Sequence, residues 1–118
     1  MTAMIPAESL PYFKKMIYLP FLLTILERDR DVFETEKFKI GRPYVLKVEK
    51  VIKDVRNDLI ETKKYLRDNN MRLLRGENDG STTTYMFFYG GYEQSRRYLN
   101  VRLRNRTEEL LEVYLMKD

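Results

Sequence analysis

Between Pro43 and Asn69 the apolar residues recur at the spacing of a single helix face. The steps between them are 3, 4, 3, 4, 3 and 4 residues, at Val45, Val48, Ile52, Val55, Leu59, Thr62 and Leu66. A seam of this kind is typical of a helix that packs lengthwise against another helix. Pro43 suits the first turn of such a helix, and Asn69-Asn70 can supply the left-handed residue that ends it. The pattern therefore predicts a helix over 43–69.

The segment from Ser9 to Glu34 predicts a second long helix, which is apolar over about two-thirds of its circumference at 100° per residue. A helix this apolar needs neighbours on several sides. Pro20 lies in its interior, where proline removes a hydrogen bond and clashes with the preceding turn. We expect a kink there or a division into two shorter helices. Residues 1–7 are expected to form a loose lead-in.

A change of periodicity after Asn70 predicts a β-hairpin. Residues 72–75 and 82–89 flank a polar segment that contains Asp79-Gly80, and Asp-Gly is a strong hairpin signal. The second strand is β-branched and aromatic on both faces, so both faces need cover, from the protein's own helices or from a partner. Gly90-Gly91 ends this strand. A last helix is predicted from Tyr92 to about Met116.

These elements define one domain, since a chain of 118 residues has the length of a single domain. The predicted class is mostly α with one β-hairpin (α+β). The order is a kinked helix, a helix, two strands and a last helix, with bundle-like packing. The apolar run 16–26 contains Pro20 and is about half as long as the roughly 20 residues that cross a membrane, so no membrane span is predicted.

The chain contains neither Cys nor His. Their absence excludes disulfide scaffolds, thiol catalysis, Ser-His-Asp triads and the metal sites that depend on imidazole or thiolate ligands. The acidic side chains of Glu27, Asp31 and Glu34 share one helix face, but without histidine they are interpreted as a solvated face. No grouping supplies a nucleophile, a base and an oxyanion site. We therefore predict no enzyme, no metal and no cofactor.

The segment from Gln94 to Thr107 holds five arginines and no acidic residue. Guanidinium groups with nearby tyrosines can bind phosphates and stack on nucleic-acid bases. The alternative is pairing within the chain, because Arg104–Glu108 and Arg106–Glu109 have helix-neighbour spacing. We expect pairing for Arg104 and exposure for Arg97. The candidate binding surface comprises Arg96, Arg97, Arg102, Arg104, Arg106, Tyr92 and Tyr98.

Four stretches of the chain carry a resemblance to a known family. They are Met16-Ile17-Tyr18-Leu19-Pro20, Leu26-Glu27-Arg28-Asp29-Arg30, Tyr89-Gly90-Gly91-Tyr92-Glu93, and the arginine-rich run from Arg96 to Arg106. In these stretches the chain resembles the YhjD-like small proteins of Bacillus-type bacteria. The resemblance implies a cytoplasmic protein of a spore-forming Gram-positive lineage. It implies no activity and no site residue.

Two functional hypotheses follow. The first is a non-enzymatic interaction or regulatory protein that self-associates as a homodimer, because the predicted elements carry more apolar surface than they easily hide. The expected contact element is either the 43–69 seam or the last helix, because long helices offer the most area. The second is a winged-helix-type nucleic-acid-binding regulator that uses residues 94–107. Division of the first helix at Pro20 would give the chain the number of helices that a winged-helix fold has. Against this hypothesis, a 27-residue second helix leaves no short recognition helix.

Overall fold

Three helices and a three-stranded antiparallel sheet make up the structure. The computed structural model describes residues 5–35 and 39–117. In chain order the elements are a 3₁₀ turn at Ala7–Ser9, α1 (Leu10–Thr35), α2 (Arg42–Asp68), β1 (Met71–Asn78), β2 (Thr82–Tyr89), β3 (Tyr92–Leu99) and α3 (Asn100–Leu115). The predicted class of helices with antiparallel strands is confirmed, but the sheet has three strands where one hairpin was expected.

The predicted seam of α2 is buried against α1. The two helices run antiparallel, since Tyr12 stacks on Tyr65 and Phe33 on Tyr44 at opposite ends of the pair. Their helical core consists of Leu19, Leu22, Leu26, Val48, Val51, Ile52, Val55, Leu59 and Tyr114. Because this chain's own α1 covers the seam, the seam is not free to mediate self-association.

α1 continues through Pro20 as one helix of 26 residues. Of the two outcomes expected at Pro20, a kink or a division, the division into two shorter helices does not occur. Ile17 and Leu22, on either side of the proline, are almost fully buried, so packing holds both halves of α1 in one element. Packing of this kind outweighs the cost of about 3 kcal/mol that an interior proline carries.

The expected last helix is wrong over its first eight residues, because Tyr92–Leu99 is strand β3. β3 pairs with β2 along its whole length, from Tyr89↔Tyr92 to Thr82↔Leu99. Gly90 and Gly91 form the turn between them with φ values of +55° and +86°. A two-residue hairpin turn of type I′ needs positive φ at both central positions, which glycine adopts without strain. Gly90-Gly91 thus forms a hairpin turn as well as ending β2.

The inner face of the sheet packs on the helix ends and forms a second core. Alternate residues of β2 point inward, and Thr83, Tyr85, Phe87 and Tyr89 are all buried. Phe87 meets Phe13 of α1 with ring centroids 5.0 Å apart. This sheet core also contains Ile5, Ile17 and Leu66. Residues 1–4 of the expected lead-in, and residues 36–38 between α1 and α2, lie outside the described residues.

Within the described residues, no helix is long and apolar enough to cross a membrane.

Candidate binding surfaces on the two faces of the sheet

The seven residues of the predicted binding surface lie on two elements and face three directions. The register places Tyr92, Arg96 and Tyr98 on the inner face of β3 and Arg97 on the opposite face. The other three arginines, Arg102, Arg104 and Arg106, belong to α3. The prediction of a single arginine-rich helix is wrong, because β3 ends at Leu99 and α3 begins one residue later.

The contacts of these arginines also differ. Arg96 lies over the ring of Phe87 at 5.1 Å, where the guanidinium shields an apolar side chain. Arg106 pairs with Glu109 at 3.3 Å as its spacing predicts, but both side chains are largely exposed, so the pair contributes about 0 to 1 kcal/mol. Among the described residues no acidic side chain pairs with Arg104, so the expected pair with Glu108 is wrong. Arg97 is exposed, as predicted.

A cleft of about 620 Å³ opens between α1, the inner face of β1 and β2, and α3. Its apolar lining comes from Met16, Ile17, Pro20, Phe21, Leu73 and Leu103. Its polar lining includes Tyr18, Arg75, Tyr85, Arg104 and Thr107. No Asp or Glu is among the residues that line it, within the part of the chain the structure describes. We call this feature the cationic cleft.

The tyrosines of the cationic cleft form one electrostatic group with the neighbouring arginines. Burial raises the pKa of Tyr18, and Tyr98 raises it further, whereas Arg106 and Arg102 act in the opposite direction. Burial also raises the pKa of the Tyr85 phenol, which Arg75 lowers in part. Both phenols therefore stay protonated at neutral pH and can donate hydrogen bonds into the cleft.

A chain of hydrogen bonds closes one end of the cationic cleft. The Thr83 hydroxyl donates to Asn100 Oδ1 at 2.6 Å, and Asn100 Nδ2 donates to Asn78 Oδ1 at 3.1 Å. The Asn100 backbone N–H donates to the Ser81 carbonyl at 2.8 Å. These bonds join the start of α3 to the β1–β2 turn. They satisfy Thr83 and Asn100 with each other, so the donors left for a ligand are the arginines and the phenols.

A second hollow, of about 630 Å³, lies beside Tyr92 at the other end of the sheet. Glu93, Lys63 and Arg67 all line it, so it mixes both signs of charge. Tyr92 itself is 58% exposed. Arg72 lines this hollow as well, so its cations outnumber its one acid, and the cationic cleft differs from it in having no acidic residue in its lining among the described residues.

The opposite side of the sheet, which we call the open face, has a mixed character. It comprises Arg72 and Leu74 of β1, Thr82, Thr84, Met86 and Phe88 of β2, and Glu93, Ser95, Arg97 and Leu99 of β3. Leu74 is 45% and Leu99 56% exposed, while Met86 and Phe88 are half-buried. Arg72 lies over the Phe88 ring at 4.6 Å. None of these side chains belongs to either hydrophobic core of the described residues.

Comparison with known proteins gives the family. The sequence profile described as YhjD protein matches residues 4–118. This chain belongs to the YhjD family. It is also 34% identical over 108 residues to the protein named Uncharacterized protein YhjD of Bacillus subtilis strain 168, a match that covers 92% of this chain and 90% of that protein. No solved structure matches it. The resemblance found in the sequence motifs is thereby confirmed.

The part of the cationic cleft that lies outside residues 94–107 of this YhjD family member was not predicted from the sequence. Tyr18, Arg75 and Tyr85 are far apart in sequence, and β1 and β2 bring the last two together as the register pair Arg75↔Tyr85. Inward placement of Tyr85 was predictable from the two-residue period of a strand. Its proximity to Tyr18 was not, because it depends on how α1 crosses the sheet.

Proposed function

We propose that this protein acts without catalysis, as an interaction protein that pairs with a second copy of itself through the open face of the sheet. The observation that carries this proposal is the apolar centre of that face, formed by Leu74, Met86 and Phe88 on neighbouring strands. Apolar side chains grouped in this way on a soluble protein typically mark an interaction surface. Closed two-fold dimers are the commonest assemblies of identical chains.

The register of the sheet supports a second copy as the occupant. Leu74, Met86 and Ser95 form one row across the three strands. A two-fold axis along this row stacks two open faces and places Glu93 of each copy opposite Arg97 of the other, since both lie two residues from Ser95. Stacked sheets are about 10 Å apart, a gap that a Glu and an Arg side chain can bridge together. The charges on the open face are thus complementary to themselves.

The shape of the molecule adds to this support. Its radius of gyration is 16.5 Å, against about 13 Å for a compact domain of this length. The longest extent is 61 Å and the shortest 19 Å, so the chain forms a long, thin body with much exposed surface. We also assign the protein to the cytoplasm, as the family resemblance implies.

Nucleic-acid binding through residues 94–107 stays a prediction with less support. The continuous α1 does not provide the extra helix that a winged-helix arrangement needs, and the arginines point in different directions. Titration with mixed duplex DNA at two salt concentrations tests it. Binding that weakens steeply with salt, and less steeply after Arg102→Gln, would favour this alternative over self-association.

Analytical ultracentrifugation of the protein at micromolar concentration tests the proposal. We expect a dimer of the 14.3 kDa chain. Leu74→Glu, which places a charge at the centre of the open face, should give monomers. Ile60→Glu is the matched control, because Ile60 is 65% exposed on α2, away from the sheet, and should leave the dimer intact. A monomeric parent protein, or equal behaviour of the two variants, would contradict the proposal.

A further inference from the structure

The cationic cleft combines an apolar chamber with two arginines that have no acidic partner among the described residues. Arg75 enters it from β1 and Arg104 from α3, and neither takes part in an ion pair there. Both side chains are exposed at the rim of the cleft beside its apolar wall, so each guanidinium can reach an anion that binds there. The cleft therefore offers a charge that an incoming anion can neutralise.

The size and lining of the cationic cleft specify the rest of the ligand. Its volume of about 620 Å³ lies within the roughly 300 to 1,000 Å³ of small-molecule sites. Met16, Ile17 and Leu103 supply apolar wall from two helices, which suits a hydrocarbon or aromatic body. The guanidinium fork matches planar carboxylate and tetrahedral phosphate oxygens, with the Tyr18 and Tyr85 phenols as additional donors.

We propose that the cationic cleft binds a small amphiphilic anion, with its apolar body between α1 and α3 and its carboxylate or phosphate head at Arg75 and Arg104. The site is separate from the surface for self-association, since the cleft lies on the inner face of the sheet and the other surface on the open face. Its acid-free lining excludes cationic ligands of the same size by charge. Carboxylate and phosphate heads share the chemistry that the two arginines recognise.

A tryptophan placed in the cleft gives a direct test. The chain contains no Trp, and Phe21, which lines the cleft, is 47% exposed, so Phe21→Trp introduces a single fluorescent reporter without a large change in the core. The probes are decanoate, decyl phosphate and decyltrimethylammonium, each below its micelle concentration. Calorimetric titration of the natural sequence with the same probes shows whether the reporter itself alters binding.

We expect saturable binding of one or both anions and none of the cation; the anion that binds identifies the head group. Arg75→Gln and Arg104→Gln should each raise Kd at least about tenfold, because each removes a charged hydrogen-bond donor. Arg42→Gln, at the exposed start of α2 and outside both surfaces, is the matched control and should change Kd less than twofold. Absence of saturable anion binding by both methods, equal binding of the cation, or equal effects of Arg104→Gln and Arg42→Gln would overturn the proposal.

Discussion

The helical core and the sheet differ in how completely this chain covers its own apolar residues. In the helical core, the apolar faces of α1 and α2 meet each other, and Tyr114 of α3 completes the cluster. In the sheet, β2 buries Thr83, Tyr85, Phe87 and Tyr89 on one side only and leaves the other side half-buried. The first region stabilises the fold. The second has a free face and, on its covered side, an open cleft.

In a small chain of this kind, the degree to which a residue is covered separates structural residues from candidate functional ones. Residues that are buried within the chain report on stability, whereas grouped apolar side chains and cleft arginines that the chain leaves exposed are candidates for contacts with a partner or ligand. Leu26 and Ile52 belong to the first kind, each 2% exposed. Leu74 and Arg104 belong to the second, because neither belongs to a core or to an ion pair of the described residues.

The largest expected effects come from the two cores themselves. Phe87→Ala should lower the free energy of unfolding by about 3 to 5 kcal/mol, and Leu26→Ala or Ile52→Ala by about 2 to 5 kcal/mol, as buried large-to-small changes do. Thermal unfolding followed by circular dichroism measures all three. Half-buried Met16 packs against both cores, so we expect one cooperative transition in each variant. A Phe87→Ala variant that melts like the parent would show that the sheet core is not a core.

A smaller effect is expected where α3 is fixed to the helical core. The buried Tyr114 hydroxyl donates a hydrogen bond to Asp58 Oδ2 on α2. Tyr114→Phe removes that bond and leaves a half-buried carboxylate without it, which should cost about 1 to 3 kcal/mol in chemical denaturation. Val113→Ala is the control, since Val113 is 57% exposed on the same helix.

The pH dependence of the Tyr114→Phe effect checks its cause. Burial, followed by the hydrogen bond to Asp58, raises the pKa of Tyr114 far above its usual value of 10.0. The folded state holds the phenol proton more tightly than the unfolded state does. The stabilisation that the Tyr114 hydroxyl provides is therefore complete below the pKa of the unfolded state and declines as the pH rises above it. The stability difference between the parent and Tyr114→Phe should therefore shrink above about pH 10. If the stability of the parent and that of Tyr114→Phe differ by the same amount at every pH from 8 to 11, the Tyr114 hydroxyl is not the cause of the difference.

The smallest expected effect lies at the β1–β2 turn. Backbone N–H groups of Thr82 and Ser81 donate to the Asp79 carboxylate and lower its pKa below 3.8, with help from the Thr82 hydroxyl and Arg97. A lowered folded-state pKa contributes stability that is present above the unfolded value and lost as the pH falls through the folded one. Asp79→Asn should thus be slightly less stable than the parent at pH 7 and equal to it near pH 2. Equal stability at both pH values would show that the Asp79 carboxylate does not stabilise the turn.

The sequence predicted the helical core well because a helix is specified locally. The steps between Val48 and Leu66 reveal the buried face of α2 without any knowledge of α1. β3 could not be recognised in the same way, because apolar and polar residues do not alternate in the sequence of Tyr92–Leu99. This strand is held in place by its pairing with β2. The signal that identifies it is Gly90-Gly91, which is a strong two-residue hairpin loop when both flanking segments are considered as strands.

The candidate sites show the same difference between features that are specified locally and features that depend on distant residues. The Arg106–Glu109 pair follows from spacing along the chain and occurs. Arg97 is exposed as predicted, but the reason is its place on the open face of β3 and not a helix spacing. The cationic cleft and the open face depend on which residues three strands and two helices bring together. Tyr18, Arg75 and Arg104 come from α1, β1 and α3, and no single stretch of sequence joins them. Periodicity in the sequence therefore does not predict which distant residues come together in a site.

The charges of the open face give the most direct test of self-association. If Glu93 of one copy faces Arg97 of the other, Glu93→Arg and Arg97→Glu should each place like charges opposite each other and shift sedimentation toward the 14.3 kDa monomer. The double exchange Glu93→Arg with Arg97→Glu restores opposite charges and should restore the dimer. Sedimentation of all four proteins at equal concentration measures this. A dimer that neither single change weakens, or a double exchange that stays monomeric, would contradict face-to-face pairing.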